Sequence, residues 1–301
     1  MPKKKRESKK PFIAGFVVTI AVLVGGTIGL LYLNPPVPVN HIGSVPEYSP
    51  MWAKYVPASA VQFGFENYTG IRLYNSSYPT QYKFLLDISD VGVELKSTSI
   101  NSVLSVTLDK PNESVAFAFV NQGAWNNFTD AFSKVGFAVT VIGDNSLYYV
   151  RNAEQGQFQY GWIALIPGDR GIAFALGDTD AKSALSICLE VTQSDSWIST
   201  LNVRQMLYLV NGTQHLAVGI QGFPGVLPEA NNTLTAVDDT GSQVLIRRVL
   251  QFQNATMALQ KYDLVRQDYL NSRQFGVYDS YVKATEYEAQ NDLIGAVRLV
   301  E

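Results

Sequence analysis

The sequence predicts an α+β protein, in which one N-terminal transmembrane helix is followed by an ectodomain with a mainly antiparallel sheet and helices packed on one face. Three observations predict it. Phe12–Leu33, FIAGFVVTIAVLVGGTIGLLYL, holds no charged side chain. Strand-like runs outnumber helical stripes beyond it. Short turns join most of those strands, which favours antiparallel pairing over a doubly wound parallel sheet.

Twenty-two residues at about 1.5 Å each make a helix of about 33 Å, enough to cross a hydrocarbon core about 30 Å thick. The flank YLNPPVPV carries no small-x-small cleavage site, so the segment reads as an uncleaved signal-anchor. Ahead of it, PKKKRESKKP looks like a nuclear import address, but such an address would strand an apolar helix in a soluble compartment. Six basic side chains against Glu7 give this tail a net +5. The excess keeps the N-terminus in the cytoplasm and places the bulk of the chain outside the cell membrane.

The chain then divides into a cytoplasmic basic tail at 1–10, a transmembrane helix at 11–33 in contact with membrane lipids, a proline-rich stalk at 34–50 and an extracellular α+β region at 51–301. A subdivision is expected near 223–241. The stalk, NPPVPVNHIGSVPEYSP, holds five prolines and reads as stiff and extended.

Within the ectodomain, SVAFAFVN (114–121) is a strand leading into AWNNFTDAFSKV, where Trp125, Phe128, Phe132 and Val135 form one helical stripe. A hairpin over 137–151 turns at Asp144-Asn145, and one over 160–177 turns at Pro167-Gly168-Asp169-Arg170. DTDAKSALSICLEV is a helix capped by Asp178 or Thr179. SDSWISTLNVRQMLYLV is a second, capped near Ser194 or Asp195 and ending at Asn211-Gly212. HLAVGIQGF and SQVLIRRVLQF (242–252) are strands, with a turn at VDDTGSQ (237–243) between them. NATMALQKYDLVRQDYLNSRQ is a helix with Ala258, Tyr262, Val265 and Tyr269 on one face; GVYDSYVKATEY and DLIGAVRLV close the chain as a strand pair. The triplets Phe65-Glu66-Asn67, Phe119-Val120-Asn121 and Phe252-Gln253-Asn254 each end an apolar run, an internal echo that suggests a duplicated strand-helix-strand-strand unit.

Seven asparagines sit in N-x-[ST] sequons: Asn67, Asn75, Asn112, Asn127, Asn211, Asn231 and Asn254. With eighteen asparagines in the chain, chance would give about two or three, and all seven lie on the side expected to be outside. They are candidate N-glycan sites of a cell-surface glycoprotein. Cys188 is the chain's only cysteine, so no intramolecular disulfide forms, and many sequons without disulfides suit an archaeal surface protein. Cys188 shares a helical face with Ala181, Ala184 and Leu185 and reads as a small buried side chain.

Removing the tail's +5 from the overall charge of −3 leaves about −8, which disfavours nucleic acid as a partner. No catalytic, cofactor or metal motif is present. His41 and His215 lack ligand-spaced neighbours, and Asp178 with Asp180 lacks the glycine and late glutamate of a calcium loop, so helix capping explains that pair. Paired carboxylates of a hydrolase would be invisible at this level. Tyr148, Tyr149, Phe158, Tyr160 and Trp162 form a group suited to stacking on sugars, although alternation buries half of them.

In the span, Ala21, Gly25 and Gly29 recur every four residues and let a second helix approach closely. The partner is then a second copy of the chain or a polytopic membrane protein. The expected function is a structural, adhesive or protein-interaction role at the cell envelope rather than catalysis. The alternatives are an accessory subunit of a membrane enzyme or transporter and, behind it, an extracellular hydrolase.

Overall fold

The computed structural model describes residues 37–45, 50–72, 86–88, 91–135, 140–154, 157–192, 194–210, 216–221, 230–239, 243–269 and 272–289 of the chain. The expected span with Ala21, Gly25 and Gly29, the basic tail, the sequons at Asn75 and Asn211, His215 and the segment DLIGAVRLV lie outside these. Among the described residues no helix is long and apolar enough to cross a membrane. The chain divides into two units, Met1–Val39 and Asn40–Glu301.

In the second unit the α+β class holds. The strands are β1 (Val39–Asn40), β2 (Ala60–Glu66), β3 (Leu86–Ile88), β4 (Val93–Leu95), β5 (Ile100–Leu108), β6 (Ser114–Val120), β7 (Thr140–Ile142), β8 (Asn145–Glu154), β9 (Gln157–Ile166), β10 (Gly171–Leu176), β11 (Leu216–Gln221), β12 (Asn232–Asp239), β13 (Gln243–Gln251), β14 (Gln274–Tyr278) and β15 (Tyr281–Ala289). The helices are α1 (Tyr68–Arg72), α2 (Gln122–Val135), α3 (Thr179–Leu189), α4 (Leu201–Val210) and α5 (Ala255–Asp268). Among the described residues the sheet has fifteen strands. From β14 inward its order is β14-β15-β13-β12-β11-β2-β5-β6-β10-β9-β8-β3-β4, with β7 also on β8. Every pairing along that order is antiparallel.

The two halves of the sheet are wound alike. Strands β2, β5 and β6 lie side by side, α2 follows, and the chain returns through β8, β9 and β10 so that β10 pairs with β6. Strands β11, β12 and β13 lie side by side, α5 follows, and the return through β14 and β15 pairs β15 with β13. The halves meet where β2 and β11 run antiparallel. At each strand-to-helix junction the phenylalanine of the triplet is buried and the asparagine caps the helix. Asn67 accepts from the Gly70 amide at 3.0 Å, Asn121 from Ala124 at 2.9 Å and Asn254 from Met257 at 2.9 Å. The echo in the sequence is thus a repeated way of leaving the sheet.

Alternation on β6 explains how the layers stack. SVAFAFV is buried at five of its seven positions, on both faces, as expected of a strand covered on two sides. One face carries Phe63, Phe65, Leu104, Phe117 and Ala173 under α3 and α4, with Leu185, Cys188 and Met206 fully buried against it. The other face carries Ile100, Val120, Ile172 and Ile163 against Phe128 and Phe132 of α2. Helix α5 covers that second face too: Tyr269 after its end lies over the Arg248 guanidinium at 5.1 Å, and Arg248 shares its side of β13 with Ile246. The helices therefore occupy both faces, not one, because the central strands are apolar on both.

Further differences have local causes. The β7–β8 turn is Gly143-Asp144 rather than Asp144-Asn145, since Gly143 takes the positive φ of 56° that the turn requires. Helix α4 starts at Leu201 rather than near Ser194. The backbone ahead of it is held by Ala58 N–H donating to Asp195 O at 2.6 Å and Trp197 N–H donating to Val56 O at 2.8 Å, and Thr200 accepts from the Val203 amide at 3.4 Å. GVYDSYVKATEY folds back on itself at Asp279-Ser280 as the β14–β15 hairpin. Part of the expected stalk belongs to the fold as well. Asn40 Nδ2 donates to Val277 O at 3.4 Å, and Asp279 accepts from the Ile42 amide at 2.8 Å beside His41 Nδ1 at 2.7 Å.

Candidate functional site

Strand alternation divides the aromatic group read from the sequence. Tyr148 turns to the second face and packs on Phe132 with ring centroids 4.5 Å apart. Tyr149, Tyr160 and Trp162 share the first face, where Tyr149 is directly opposite Trp162 and Arg151 opposite Tyr160. The tyrosine rings lie nearly parallel, 12° apart with centroids at 5.5 Å, and Trp162 meets Tyr149 at 5.1 Å. Trp162 is buried while Tyr149 and Tyr160 are 39% and 53% exposed, so the group forms a shelf with a closed base and an open rim.

The rim is completed by the turn from β10 into α3. Gly177, at φ 112°, is open to little but glycine, and its amide donates to Tyr160 O at 2.9 Å. That turn brings Asp178 over the shelf. Asp178 stands at the N-cap of α3, yet its side chain accepts no capping hydrogen bond. The carboxylate instead accepts the Tyr149 hydroxyl proton, which corrects the capping role expected from the sequence: a phenol facing it across the sheet takes the place of the helix amides. The Asp178 hydrogen bond is the main cause that holds the Tyr149 phenol above its ordinary pKa. One turn into α3, Lys182 sets its ammonium 4.8 Å from the centre of the Trp162 ring. Tyr149, Tyr160, Leu176, Gly177 and Asp178 line an open cleft of about 490 Å³.

Among the described residues the sequon asparagines lie on separate elements and loops rather than in one segment. Asn112, Asn127, Asn231 and Asn254 are exposed, and Asn67 is half-buried. Asn127 lies on the solvent side of α2. Among the described residues no three His, Cys, Asp or Glu side chains group as metal ligands. Cys188 is fully buried in the core, and burial pushes its thiol up to about 12, so it is no reactive nucleophile.

A second cleft escaped the sequence reading because its parts come from α5 and β14. It has a volume of about 710 Å³ and is lined by Tyr262, Asp263, Arg266, Gln267, Ser272, Arg273 and Phe275. Two arginines seven residues apart on either side of a helix end were the only signal available.

No protein-family model and no curated protein matches the chain. Among solved structures, crystal forms I, III and IV of TP0453 are similar to it at 13%, 13% and 12% identity, with TM-scores of 0.44, 0.46 and 0.45. The matches cover 84%, 83% and 84% of this chain and 98%, 98% and 100% of those chains.

Proposed function

We propose that this chain is a single-pass, N-in cell-surface glycoprotein with a structural or adhesive role, and that it engages carbohydrate at the Tyr149–Tyr160 shelf. The tether rests on the uncharged segment 12–33 behind a +5 tail, and the glycoprotein character on sequon asparagines that stand in solvent at 112, 127, 231 and 254. Like winding of the two halves about the β2–β11 seam supports a duplicated unit as the body of the ectodomain.

One observation carries the recognition role: two exposed, nearly parallel tyrosine rings with a carboxylate at their rim. The apolar C–H face of a pyranose packs on such a ring. A carboxylate offers about four acceptor positions, of which the Tyr149 hydroxyl takes one, and the rest suit sugar hydroxyls.

The test is binding of a panel of neutral oligosaccharides to the full chain in nanodiscs, read by tryptophan and tyrosine fluorescence. Saturable binding that Tyr160→Ala weakens about tenfold or more supports the proposal. A panel without saturable binding, or binding indifferent to Tyr160→Ala, overturns the shelf as a sugar site.

A further inference from the structure

We infer that the cleft between α5 and β14 binds a phosphoryl group. Its lining supplies the donors for one. Arg266 projects from the last turns of α5 and Arg273 from the residue before β14, and among the described residues neither guanidinium takes part in an ion pair. A guanidinium presents five N–H donors in a planar fork matched to phosphate oxygens, and it stays charged at every physiological pH.

The stronger pointer is Ser272. This residue is 8% exposed, lines the cleft, and its hydroxyl Oγ is buried without a hydrogen-bond partner. A buried hydroxyl left unpaired is costly, so such groups are rare in a folded protein and a ligand oxygen is an efficient way to satisfy one. Its backbone is already committed, with the Ser272 amide donating to Tyr269 O at 2.9 Å. Next to it the Arg273 amide donates to Thr285 O at 3.0 Å, which fixes the start of β14 and with it the base of the cleft.

The remaining lining sets the charge of the ligand. Asp263 opposes an anion and reduces the two positive charges to a net +1, which suits a phosphodiester or a singly charged phosphate better than a polyphosphate. Tyr262 and Phe275 meet edge to face, 80° apart at 6.3 Å, and give one wall an apolar surface for the carbon part of an ester.

Both a lipid headgroup and a soluble phosphate ester present this chemistry. The cleft shares β14 with the hairpin that holds Asn40 and Ile42 through Val277 and Asp279. Asn40, held at that same edge of the sheet, is separated from Leu33 by only six residues in the sequence.

The test uses the full chain in a maltoside detergent with inorganic phosphate as the probe, followed by ³¹P line broadening. The same chain is also placed in nanodiscs of phosphatidylglycerol or phosphatidylcholine, with hydrogen exchange read over residues 262–275. Ser272→Ala is the key variant, because removing an unpaired buried hydroxyl leaves folding intact or improves it. Arg273→Gln removes one fork, and Arg170→Gln, at the distant β9–β10 turn, serves as control. Broadening by inorganic phosphate that weakens several-fold in Ser272→Ala and about tenfold in Arg273→Gln, but not in Arg170→Gln, supports the inference with a soluble ester as source. Protection seen only in nanodiscs and lost in the same two variants supports it with the headgroup as source. Absence of both responses, or responses that all three variants leave unchanged, overturns it.

Discussion

Tyr149 and Asp178, on different elements and 29 residues apart, are joined by a hydrogen bond in which the phenol donates to the carboxylate Oδ1. This contact takes the N-cap residue of α3 away from capping its own helix and fixes one ring of the shelf. Asp178→Asn weakens the acceptor and removes the charge. The Tyr149 phenol, held above its ordinary pKa chiefly by that hydrogen bond, is then expected to titrate at lower pH than in the parent protein. Site-resolved ¹³C chemical shifts of tyrosine across an alkaline titration read this directly, and an unchanged titration would show that the contact does not exist in solution.

The seam between the halves is packed without slack. A Cβ at position 219 would fall inside the edge of the Phe63 ring. That ring is stacked by Trp52 at 4.8 Å and met edge-on by Trp197 at 5.0 Å, so it has nowhere to move. Gly219→Ala is expected to lower stability by about 1–3 kcal/mol despite the lower chain entropy alanine brings to the unfolded state. Urea unfolding measures it, and a neutral or stabilising result contradicts the close approach of β2 and β11.

Capping and glycosylation meet in one side chain at Asn254 and can be separated. Its Oδ1 caps Met257, while a glycan would attach at Nδ2. Asn254→Asp keeps the cap and loses the sequon, Thr256→Ala does the same by another route, and Asn254→Ala loses both. Only Asn254→Ala is expected to destabilise through the cap, by about 1 kcal/mol, while all three remove any glycan mass from the peptide.

Acid sensitivity is expected where Asp169 meets Lys54 and Tyr55. Burial raises the Asp169 pKa, but hydrogen bonds from the Lys54 ammonium, 2.5 Å away, and from the Tyr55 hydroxyl outweigh it and hold the carboxyl below its ordinary range. A carboxyl depressed on folding stabilises fully above its unfolded pKa, about 3.9, and that contribution fades as pH falls through the folded value. Asp169→Asn should therefore be less stable than the parent at pH 6 and should lose less stability between pH 4 and pH 2. Urea midpoints at pH 6, 4 and 2 test this, and parallel curves would contradict it.

Much of the fold was legible because its signals are local. The stripe Trp125, Phe128, Phe132 and Val135 marked α2, and the Pro167–Arg170 tip marked the β9–β10 turn within a residue. Helices on both faces were not, although SVAFAFV displayed the cause, because a continuous apolar run does not say what covers each side. The shelf was half legible. Alternation could separate Tyr148 from Tyr149, but nothing within the strand announces that Asp178 returns to Tyr149. The α5–β14 cleft was hidden for the same reason, since Ser272 becomes a buried unpaired donor only when β14 folds against α5.

The most direct measurement of the central claim, a tethered chain with its bulk outside the cell, is lysine labelling of intact cells with a membrane-impermeant amine reagent, read by peptide mass spectrometry. The exposed side chains of Lys96, Lys110 and Lys134 are expected to label in intact cells, while Lys3, Lys4, Lys5, Lys9 and Lys10 label only after lysis. Labelling of all these lysines only after lysis, or of the tail before the rest, would contradict it.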